Sequence, residues 1–298
     1  MQLGYIGLGK MGYNMALRLL EKDWRVVAYN RTPGPAQELE KANDRALGVL
    51  SLAELVAKLD APRLIWLMVS HHAVDEMLKD LIPYLEEGDT VIDGGNSFYK
   101  DSMRRAEMLE SQGITFLDAG VSGGPGGARS GACVMIGGSE TSYKTHEALF
   151  GDIAAPGAYG YMGKAGAGHF VKMVHNGIEY GMMQALAEGF AILKGSPFNL
   201  DLAAVADLYN RRSVIESRLV GWLTDAYKMF GRELDGVSGS VGHTGEGAWT
   251  VEAATEFGIP APVIADALRF RIESKEKPSY AGRVLSALRN MFGGHAIQ

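Results

Sequence analysis

The sequence predicts a doubly wound α/β domain with a mostly parallel sheet, followed by an all-helical domain. Three observations lead to this fold class. Up to about residue 160, short apolar runs alternate with amphipathic stretches, and a glycine fingerprint lies between the first strand and the first helix. After the glycine-rich stretch 163–168, apolar residues recur at helical spacing. We therefore expect an α/β domain over residues 1–163 and a helical domain over residues 164–298.

Six apolar runs in the first domain have the length of strands and end in polar or glycine residues. They are Leu3–Ile6, Val26–Tyr29, Leu64–Val69, Thr90–Ile92, Thr115–Leu117 and Ala132–Ile136. The amphipathic segments between them are Met11–Glu21, Ala36–Glu40, Ser51–Lys58, Val74–Leu85 and Tyr99–Ser111. Because ligands bind at the carboxyl ends of strands in such a sheet, the residues after each strand are the site candidates.

The second domain is predicted to begin with one long helix, His169–Lys194, which ends at the breaker sequence Gly195-Ser-Pro197. The other helical segments are Leu200–Leu208, Ser213–Tyr227, Thr250–Glu256, Val263–Ser274 and Gly282–Arg289.

The composition indicates a globular protein, which we expect to be soluble and cytoplasmic. A net charge of −6 argues against general nucleic-acid binding, and no apolar run reaches the roughly 20 residues that span a bilayer. The chain starts on a strand-like segment, so we expect no signal peptide. The single cysteine, Cys133, excludes an intrachain disulfide. The histidines are scattered, and His71-His72 lacks ligand spacing, so no metal site is expected.

The fingerprint Gly7-Leu8-Gly9-Lys10-Met11-Gly12 follows a strand and begins a helix. The first glycine permits a tight turn, the second lets a pyrophosphate approach the backbone, and the third permits close packing of helix on strand. In this context the motif predicts a Rossmann-type domain that binds a nicotinamide dinucleotide. Val69, at the end of a later strand, and Asn96, after the next, complete the predicted cofactor site.

The end of the second strand favours NADP over NAD. An NAD site usually has an acidic residue there for the ribose hydroxyls, whereas this chain has Asn30-Arg31-Thr32. Arg31 can pair with a 2′-phosphate, and Asn30 and Thr32 can add hydrogen bonds. Arg31 could instead be a solvated turn residue, so NAD stays possible.

The long helix carries a polar stripe. At about 100° per residue, five side chains share one face: Lys172, His175, Asn176, Glu179 and Tyr180. A polar stripe on a buried helix is costly unless it meets a ligand or a hydrogen-bond network. We therefore predict an active-site helix, and we expect its intervening apolar residues to be packed, namely Phe170, Val171, Met173, Val174 and Ile178.

Five features together resemble one family: the fingerprint, Asn30-Arg31-Thr32, Asp93-Gly-Gly-Asn96-Ser97, Val121-Ser122-Gly123-Gly124 and the helix opening at Gly168. The chain is similar to the decarboxylating 6-phosphogluconate dehydrogenases, in the shorter form with one helical unit. The resemblance implies oxidation of 6-phosphogluconate at C3 and loss of carbon dioxide to give ribulose 5-phosphate, a pentose phosphate pathway reaction.

The resemblance also implies roles for individual residues. Lys172 would accept the C3 hydroxyl proton and then polarise the keto oxygen, and Glu179 would protonate the enediol. Asn96 and Asn176 would orient the C3 hydroxyl. The backbone and hydroxyl groups of Ser122, Gly123 and Gly124 would hold the carboxylate end of the substrate, and His175 would also bind the substrate.

The phosphate of this substrate needs cations. The resemblance assigns it to Tyr180, Arg271, and Arg289 with His295, a tail pair that reaches the site from a partner subunit. A homodimer or homotetramer is therefore expected. Asp93 is expected to be structural, capping the loop that follows it.

The chain also departs from the family. A lysine position in the loop Thr244–Thr250 holds Thr244, Glu246 adds a negative charge, and Pro125 replaces a glutamate. Glu246 is expected either to bind a sugar hydroxyl or to face water.

Two rival functions stay open at this point. A β-hydroxyacid dehydrogenase like the 3-hydroxyisobutyrate dehydrogenases would act on a smaller or unphosphorylated acid. A non-enzymatic NADPH-binding protein would have no use for Lys172. Taken singly, Lys172, His175 and Glu179 also fit ordinary packing or solvated roles.

Overall fold

The computed structural model describes residues 1–243 and 245–297, and the chain divides into two compact units. The first unit is Met1–Lys172 and the second begins at Met173. The predicted boundary near residue 163 lies at the end of the last strand, ahead of this division. The first turns of the long helix belong to the first unit because Gly168 packs closely on the backbone of Asp118 and Met135.

The first unit contains a single eight-stranded sheet in the part of the chain described. Its strands are β1 Gln2–Ile6, β2 Arg25–Tyr29, β3 Ala46–Val49, β4 Leu64–Leu67, β5 Thr90–Asp93, β6 Thr115–Ser122, β7 Ala132–Gly137 and β8 Ala154–Gly163. The order is β3-β2-β1-β4-β5-β6-β7-β8, and only the β6–β7 pair is antiparallel. The doubly wound, mostly parallel sheet is therefore confirmed.

Two strands escaped prediction, and one strand is longer than predicted. β3 is only four residues long, and β8 is interrupted by Pro156 and Gly157, so neither has a clear apolar pattern. β6 continues through Asp118 to Ser122, a stretch that its glycine and aspartate made resemble a loop. The extension matters for the site, because it brings Gly120 against the long helix.

Eight α-helices cover the two faces of the sheet or connect its strands in the described first unit. They are α1 Lys10–Glu21, α2 Gly34–Ala42, α3 Leu52–Ala57, α4 His71–Leu81, α5 Tyr99–Glu110, α6 Gly124–Ser130, α7 Glu140–Thr145 and α8 Glu147–Ile153, with a short 3₁₀ turn at Ile82–Tyr84. Both faces are buried: Val26 and Ala28 belong to one apolar cluster, and Val27 between them belongs to the other. This alternation is what a doubly wound sheet requires.

Within the described residues of the second unit, the regular structure is helical. The long helix α9, Ala167–Gly195, continues into it from the first unit, and α10 Leu202–Tyr209, α11 Arg218–Phe230, α12 Glu246–Glu256, α13 Pro262–Glu273 and α14 Tyr280–Gly293 follow. Its core joins Met183 and Phe190 of α9 to Leu223 of α11 and to Leu285 and Leu288 of α14. An all-helical second domain is confirmed, with bounds that differ from the predicted ones by a few residues.

The apolar residues of α9 are not all packed as predicted. Met173 is buried, but Val171 is 37% exposed and Ile178 is 53% exposed. In the single chain these two side chains are not packed, because helical spacing shows which residues share a face and not which faces are covered. No helix within residues 1–243 and 245–297 is long and apolar enough to cross a bilayer.

Candidate active site

The fingerprint loop has the conformation that each of its glycines was predicted to allow. Gly7 has φ of +100°, and its N–H donates to the Tyr29 carbonyl at 3.0 Å. A Cβ on Gly12 would lie 2.0 Å from the Gly7 oxygen, so α1 packs directly on the turn. A Cβ on Gly9, at the N-cap of α1, would meet nothing within 4 Å. The loop therefore leaves open backbone at a helix N-terminus, which fits a dinucleotide pyrophosphate.

Asn30 stabilises this loop from the end of β2. Its Oδ1 accepts from the Leu8 N–H at 2.8 Å, and its Nδ2 donates to the carbonyl and hydroxyl of Thr32, both at 2.9 Å. The predicted contact of Asn30 with a 2′-phosphate would compete with these bonds. Arg31 and Thr32 are exposed on the turn beside it, in the position that discriminates NADP from NAD.

Val69 connects the fingerprint to the loop that carries Asn96. A Cβ on Gly7 would lie 2.9 Å from the Val69 side chain, and a Cβ on Gly95 would lie 2.6 Å from the Val69 carbonyl. Three sequence-predicted cofactor positions thus lie side by side at the carboxyl edge of β1, β4 and β5.

Asp93 anchors the Asn96 loop, which matches the structural role predicted for it. Its carboxylate accepts from the Gly95 N–H at 3.0 Å and from the Ser97 hydroxyl at 2.7 Å, one bond on each side of Asn96. Arg105, itself 1% exposed, lies 3.4 Å from the same carboxylate. A buried ion pair therefore fixes the backbone from which Asn96 projects.

Lys172 meets Asn96 directly. Its Nζ donates to Asn96 Oδ1 at 2.5 Å, and both side chains are partly buried. The approach depends on Gly120 of β6, because a Cβ there would lie 2.4 Å from the Lys172 Cβ. The structure thus brings together two predicted catalytic residues that are far apart in the sequence.

A buried polar cluster at the start of α9 was missed by the sequence analysis. Asp118 accepts from the Gly166 N–H at 2.6 Å and from the His169 N–H at 2.8 Å, and so caps the helix that carries Lys172. His169 Nδ1 lies 2.7 Å from the Ser102 hydroxyl. The one signal was an aspartate inside an apolar strand, since a cap contributed from a distant strand leaves no local pattern.

Ser122, Gly123 and Gly124 form the junction between β6 and α6. Ser122 ends the strand, and the two glycines have φ of +133° and +62°. Pro125 follows in the first turn of α6, where proline is well tolerated. Its replacement of the family's glutamate is therefore compatible with the helix.

In the second unit, Asn176 of α9 contacts the N-terminus of α12. Its Nδ2 donates to Glu246 Oε1 at 2.7 Å, and its Oδ1 lies 3.0 Å from His175 Nδ1. Glu179 is the next residue of the stripe, 4.0 Å from His175 Nδ1. Glu246 is 3% exposed, so the expectation that it faces water was wrong. Thr244, the other departure of this loop, lies outside the described residues.

Two arginines of the second unit, Arg271 and Arg289, interact electrostatically with each other. The Arg271 guanidinium stacks 3.4 Å from the centroid of the Tyr180 ring, and both residues are buried. Burial, with repulsion from Arg289, lowers the pKa of Arg271 to about 10. Burial also lowers the pKa of Arg289. Buried cations that destabilise each other favour the binding of an anion.

The C-terminal tail folds onto its own unit. Asn290 Nδ2 donates to the His295 carbonyl at 2.7 Å, and the Ser238 N–H donates to the Ile297 carbonyl at 2.6 Å. Ile297 packs against the core of the second unit. These contacts place the described tail, through Ile297, on its own unit, and its predicted reach to a partner subunit stays a prediction.

Two protein-family models match the chain, one over its N-terminal part and one over its C-terminal part. Residues 2–165 match the family model of the NAD binding domain of 6-phosphogluconate dehydrogenase, and residues 168–290 match that of the 6-phosphogluconate dehydrogenase C-terminal domain. The chain therefore belongs to the 6-phosphogluconate dehydrogenase family.

Three similar proteins show which members of the 6-phosphogluconate dehydrogenase family this chain resembles. A Bacillus subtilis protein, YqeC, is 45% identical over all of this chain and 99% of its own length, and its name assigns it provisionally to 6-phosphogluconate dehydrogenase. The NAD(+)-dependent, decarboxylating 6-phosphogluconate dehydrogenase of Haloferax volcanii is 40% identical over all of this chain and 98% of its own. The Plasmodium falciparum enzyme, solved with NADP+ and with 6-phosphogluconate, superposes with a TM-score of 0.83 at 33% identity over 93% of this chain. Only 62% of that longer chain is covered, which identifies the present chain as similar to the short form.

No group of three or more histidine, cysteine, aspartate or glutamate side chains is placed to hold a metal ion among the residues described.

Proposed function

We propose that this protein oxidises 6-phospho-D-gluconate at C3 and releases C1 as carbon dioxide, with D-ribulose 5-phosphate as the product. The observation that carries the proposal is the bond between Lys172 and Asn96, beside the edge of a dinucleotide-binding sheet. The reaction belongs to the pentose phosphate pathway.

Lys172 is the general base and then the general acid of this reaction. The bound nicotinamide supplies the acceptor for the hydride that leaves C3. Lys172 takes the hydroxyl proton from C3, and as an ammonium it then hydrogen-bonds the keto oxygen while the C1–C2 bond breaks. Asn96, held by Asp93, orients Lys172 and the hydroxyl group. Glu179 returns a proton to the carbon that has lost carbon dioxide, which completes the ketone.

The cations of the second unit bind the substrate phosphate in this proposal. Arg271 is immobilised on the Tyr180 ring, and a buried guanidinium is well suited to a phosphate. Arg289 adds a second positive charge, and Ser122-Gly123-Gly124 binds the carboxylate end of the substrate through backbone N–H groups.

We propose NADP as the preferred cofactor, with NAD as the alternative. Gly7, Leu8, Gly9, Lys10, Met11 and Gly12 would surround the pyrophosphate, and the exposed Arg31 would pair with the 2′-phosphate. The name of the Haloferax volcanii relative, NAD(+)-dependent, is the reason for keeping NAD as the alternative. If Arg31 sets the preference, Arg31→Ala should raise the KM for NADP about tenfold and leave that for NAD unchanged.

The deciding experiment measures nicotinamide reduction and carbon dioxide release with 6-phosphogluconate, with NADP and NAD tested separately. Lys172→Met is the test variant, and Lys164→Met, an exposed lysine just before α9, is its matched control. We expect one carbon dioxide per reduced nicotinamide, a loss of turnover of about a thousandfold in Lys172→Met, and unchanged NADPH binding in both variants.

Each rival function makes a different prediction in the same assay. A β-hydroxyacid dehydrogenase acting on unphosphorylated acids would reduce the cofactor with gluconate or a smaller acid at least as well as with 6-phosphogluconate. A non-enzymatic NADPH-binding protein would show no reduction with any acid, and Lys172→Met would be indistinguishable from the wild type.

We further propose a homodimer, or a tetramer built from such dimers. Large apolar side chains of the second unit are exposed in the single chain, among them Ile178 at 53%, Ile192 at 74% and Val263 at 67%. Exposed apolar groups of this kind commonly mark protein interfaces. Light scattering should give a multiple of the chain mass, and Ile192→Asp should weaken the assembly.

A further inference from the structure

Glu246 is the first residue of α12 and interacts electrostatically with Arg289, one of the cations that would bind a phosphate. We infer that Glu246 is a positioning residue for the reaction proposed above: it holds the Asn176 amide in the one orientation that presents the amide oxygen, an acceptor, to the substrate hydroxyl. The inference rests on the proposed function, because it names the part that Asn176 takes in that reaction.

The hydrogen bond between the two side chains selects the orientation of the amide. Asn176 Nδ2 donates to Glu246 Oε1 at 2.7 Å. A carboxylate can only accept hydrogen bonds, so a rotated amide would place its oxygen against the negative charge. Glu246 is the first residue of α12, so its side chain lies at the positive end of the helix dipole. The charge therefore biases the amide more strongly than a neutral residue could.

Close packing keeps Glu246 at this place. The Thr250 hydroxyl lies 2.9 Å from the Met173 carbonyl of α9 and 2.8 Å from the Glu246 carbonyl of its own helix. A Cβ on Gly177 would lie 2.6 Å from Thr250, and a Cβ on Gly247 would lie 2.4 Å from the Tyr180 ring. The first turn of α12 is therefore packed closely on α9, and the Glu246 side chain, 3% exposed, is enclosed beside Asn176.

The orientation of the Asn176 amide also affects its contact with the neighbouring side chain, His175. With Nδ2 bonded to Glu246, Oδ1 faces His175 Nδ1 at 3.0 Å, and this contact is favourable only if Nδ1 carries a proton. Glu246 thus fixes the amide direction of Asn176, and through it the amide oxygen that faces His175 Nδ1.

If Glu246 positions Asn176, its removal should change the Michaelis constant differently than if it helped to bind the substrate. Removing the negative charge should not weaken the binding of an anionic substrate, whose phosphate is attracted by Arg271 and Arg289. We therefore expect kcat to fall while KM for 6-phosphogluconate stays constant or decreases.

The experiment compares Glu246→Gln with Glu252→Gln, the same change at an exposed position of the same helix. We expect Glu246→Gln to lower kcat about tenfold with KM unchanged or lowered, and Glu252→Gln to leave both constants unchanged. Melting temperatures of all variants are measured, so that a loss from unfolding is recognised.

A double-mutant cycle tests whether Glu246 acts through Asn176. In an Asn176→Ala background, Glu246→Gln should have no further effect on the residual rate. An additive loss in the double variant, or a kcat for Glu246→Gln equal to that of Glu252→Gln, would overturn the inference.

An activity-independent measurement separates this inference from the proposed function. In protein labelled with ¹⁵N-asparagine, the side-chain NH₂ signals of Asn176 are identified by their loss in Asn176→Ala. They should shift in Glu246→Gln and not in Glu252→Gln. Wild-type protein inactive on 6-phosphogluconate would refute the proposed function, whereas an unshifted Asn176 signal would refute the hydrogen bond itself.

Discussion

At the scale of single residues, the pKa of His243 reflects the neighbouring cations of the second unit. His243 lies in the same electrostatic environment as the arginines assigned to the phosphate. Burial lowers the pKa of His243, and repulsion from Lys275, Arg271 and Arg289 lowers it further, against a smaller opposing effect of Glu246. A histidine whose pKa is lowered by neighbouring cations should respond when an anion neutralises them.

We therefore predict that 6-phosphogluconate raises the pKa of His243. A bound phosphate offsets the three cations, so the imidazolium becomes less unfavourable and protonates at higher pH. NMR titration of the histidine signals with and without substrate measures the shift, and gluconate without phosphate should produce a smaller one. An unchanged His243 pKa under conditions of demonstrated binding would contradict the phosphate assignment to these arginines.

Asn96 and Asp118 show what residue types alone could reveal. Asn96 was found because polar residues after a buried strand lie at the ligand-binding edge of a parallel sheet. Asp118 was missed because it lies inside β6 and its partners, the N–H groups of Gly166 and His169, come from a distant segment. A hydrogen bond between residues that are far apart in the sequence leaves no local spacing pattern from which it could be predicted.

At the scale of elements, the glycines of the fingerprint have two different roles, helix packing and contact with the cofactor. Gly12 is needed for the contact of α1 with the turn, whereas space is open around Gly9. We predict that Gly9→Ala leaves the melting temperature within a few degrees of wild type and raises the Kd for the dinucleotide about tenfold or more. Calorimetric titration with NADPH and a thermal scan check both effects.

The control for this prediction is Gly12→Ala, whose methyl group would lie 2.0 Å from the Gly7 oxygen. It should destabilise the fold itself by several kcal/mol or prevent folding, since backbone cannot yield as a flexible side chain can. Equal loss of stability in the two variants would contradict the assignment of Gly9 to the pyrophosphate.

The long helix α9 offers a matched pair of glycines. Gly177 faces Thr250 so closely that a Cβ would lie 2.6 Å away, whereas a Cβ on Gly189 would meet nothing within 4 Å. We predict that Gly177→Ala destabilises the protein by about 1–3 kcal/mol through overpacking. Gly189→Ala should stabilise it by about 0.5–1 kcal/mol, because alanine is the better helix former. Urea unfolding of both variants measures the difference, and similar effects would refute the close contact of α9 with α12.

The elements themselves were predictable in proportion to their periodicity. Six of the eight strands and the long helix have regular apolar patterns that local physical chemistry explains. β3 and β8 depend on pairing with a neighbouring strand that already exists, so their own sequences contain little signal.

At the scale of the whole molecule, Arg289 interacts with Arg271 of its own chain. Arg289 belongs to α14, whose Leu285 and Leu288 are fully buried in the core of the second unit. The helix cannot leave that core without unfolding it, so Arg289 stays beside Arg271 of its own chain, with which it interacts electrostatically.

We therefore predict that Arg289 acts in cis. Lys172→Met and Arg289→Ala chains, co-expressed with different tags and purified as a mixture, should show no more activity than the two variants measured separately at low substrate concentration. If Arg289 acted in trans, half of the sites in mixed dimers would be intact, and a random mixture would recover about a quarter of the wild-type rate.

The sequence by itself determined the fold class, six of the eight strands, the cofactor fingerprint and the polar stripe of α9, because these depend on residues close together along the chain. Only the tertiary structure decided which distant side chains meet. It joined Lys172 to Asn96 and Asn176 to Glu246, and it returned the tail to its own unit. Such contacts depend on the close approach of separate elements at Gly120 and Gly177, and no local pattern encodes which backbone will lie against a glycine.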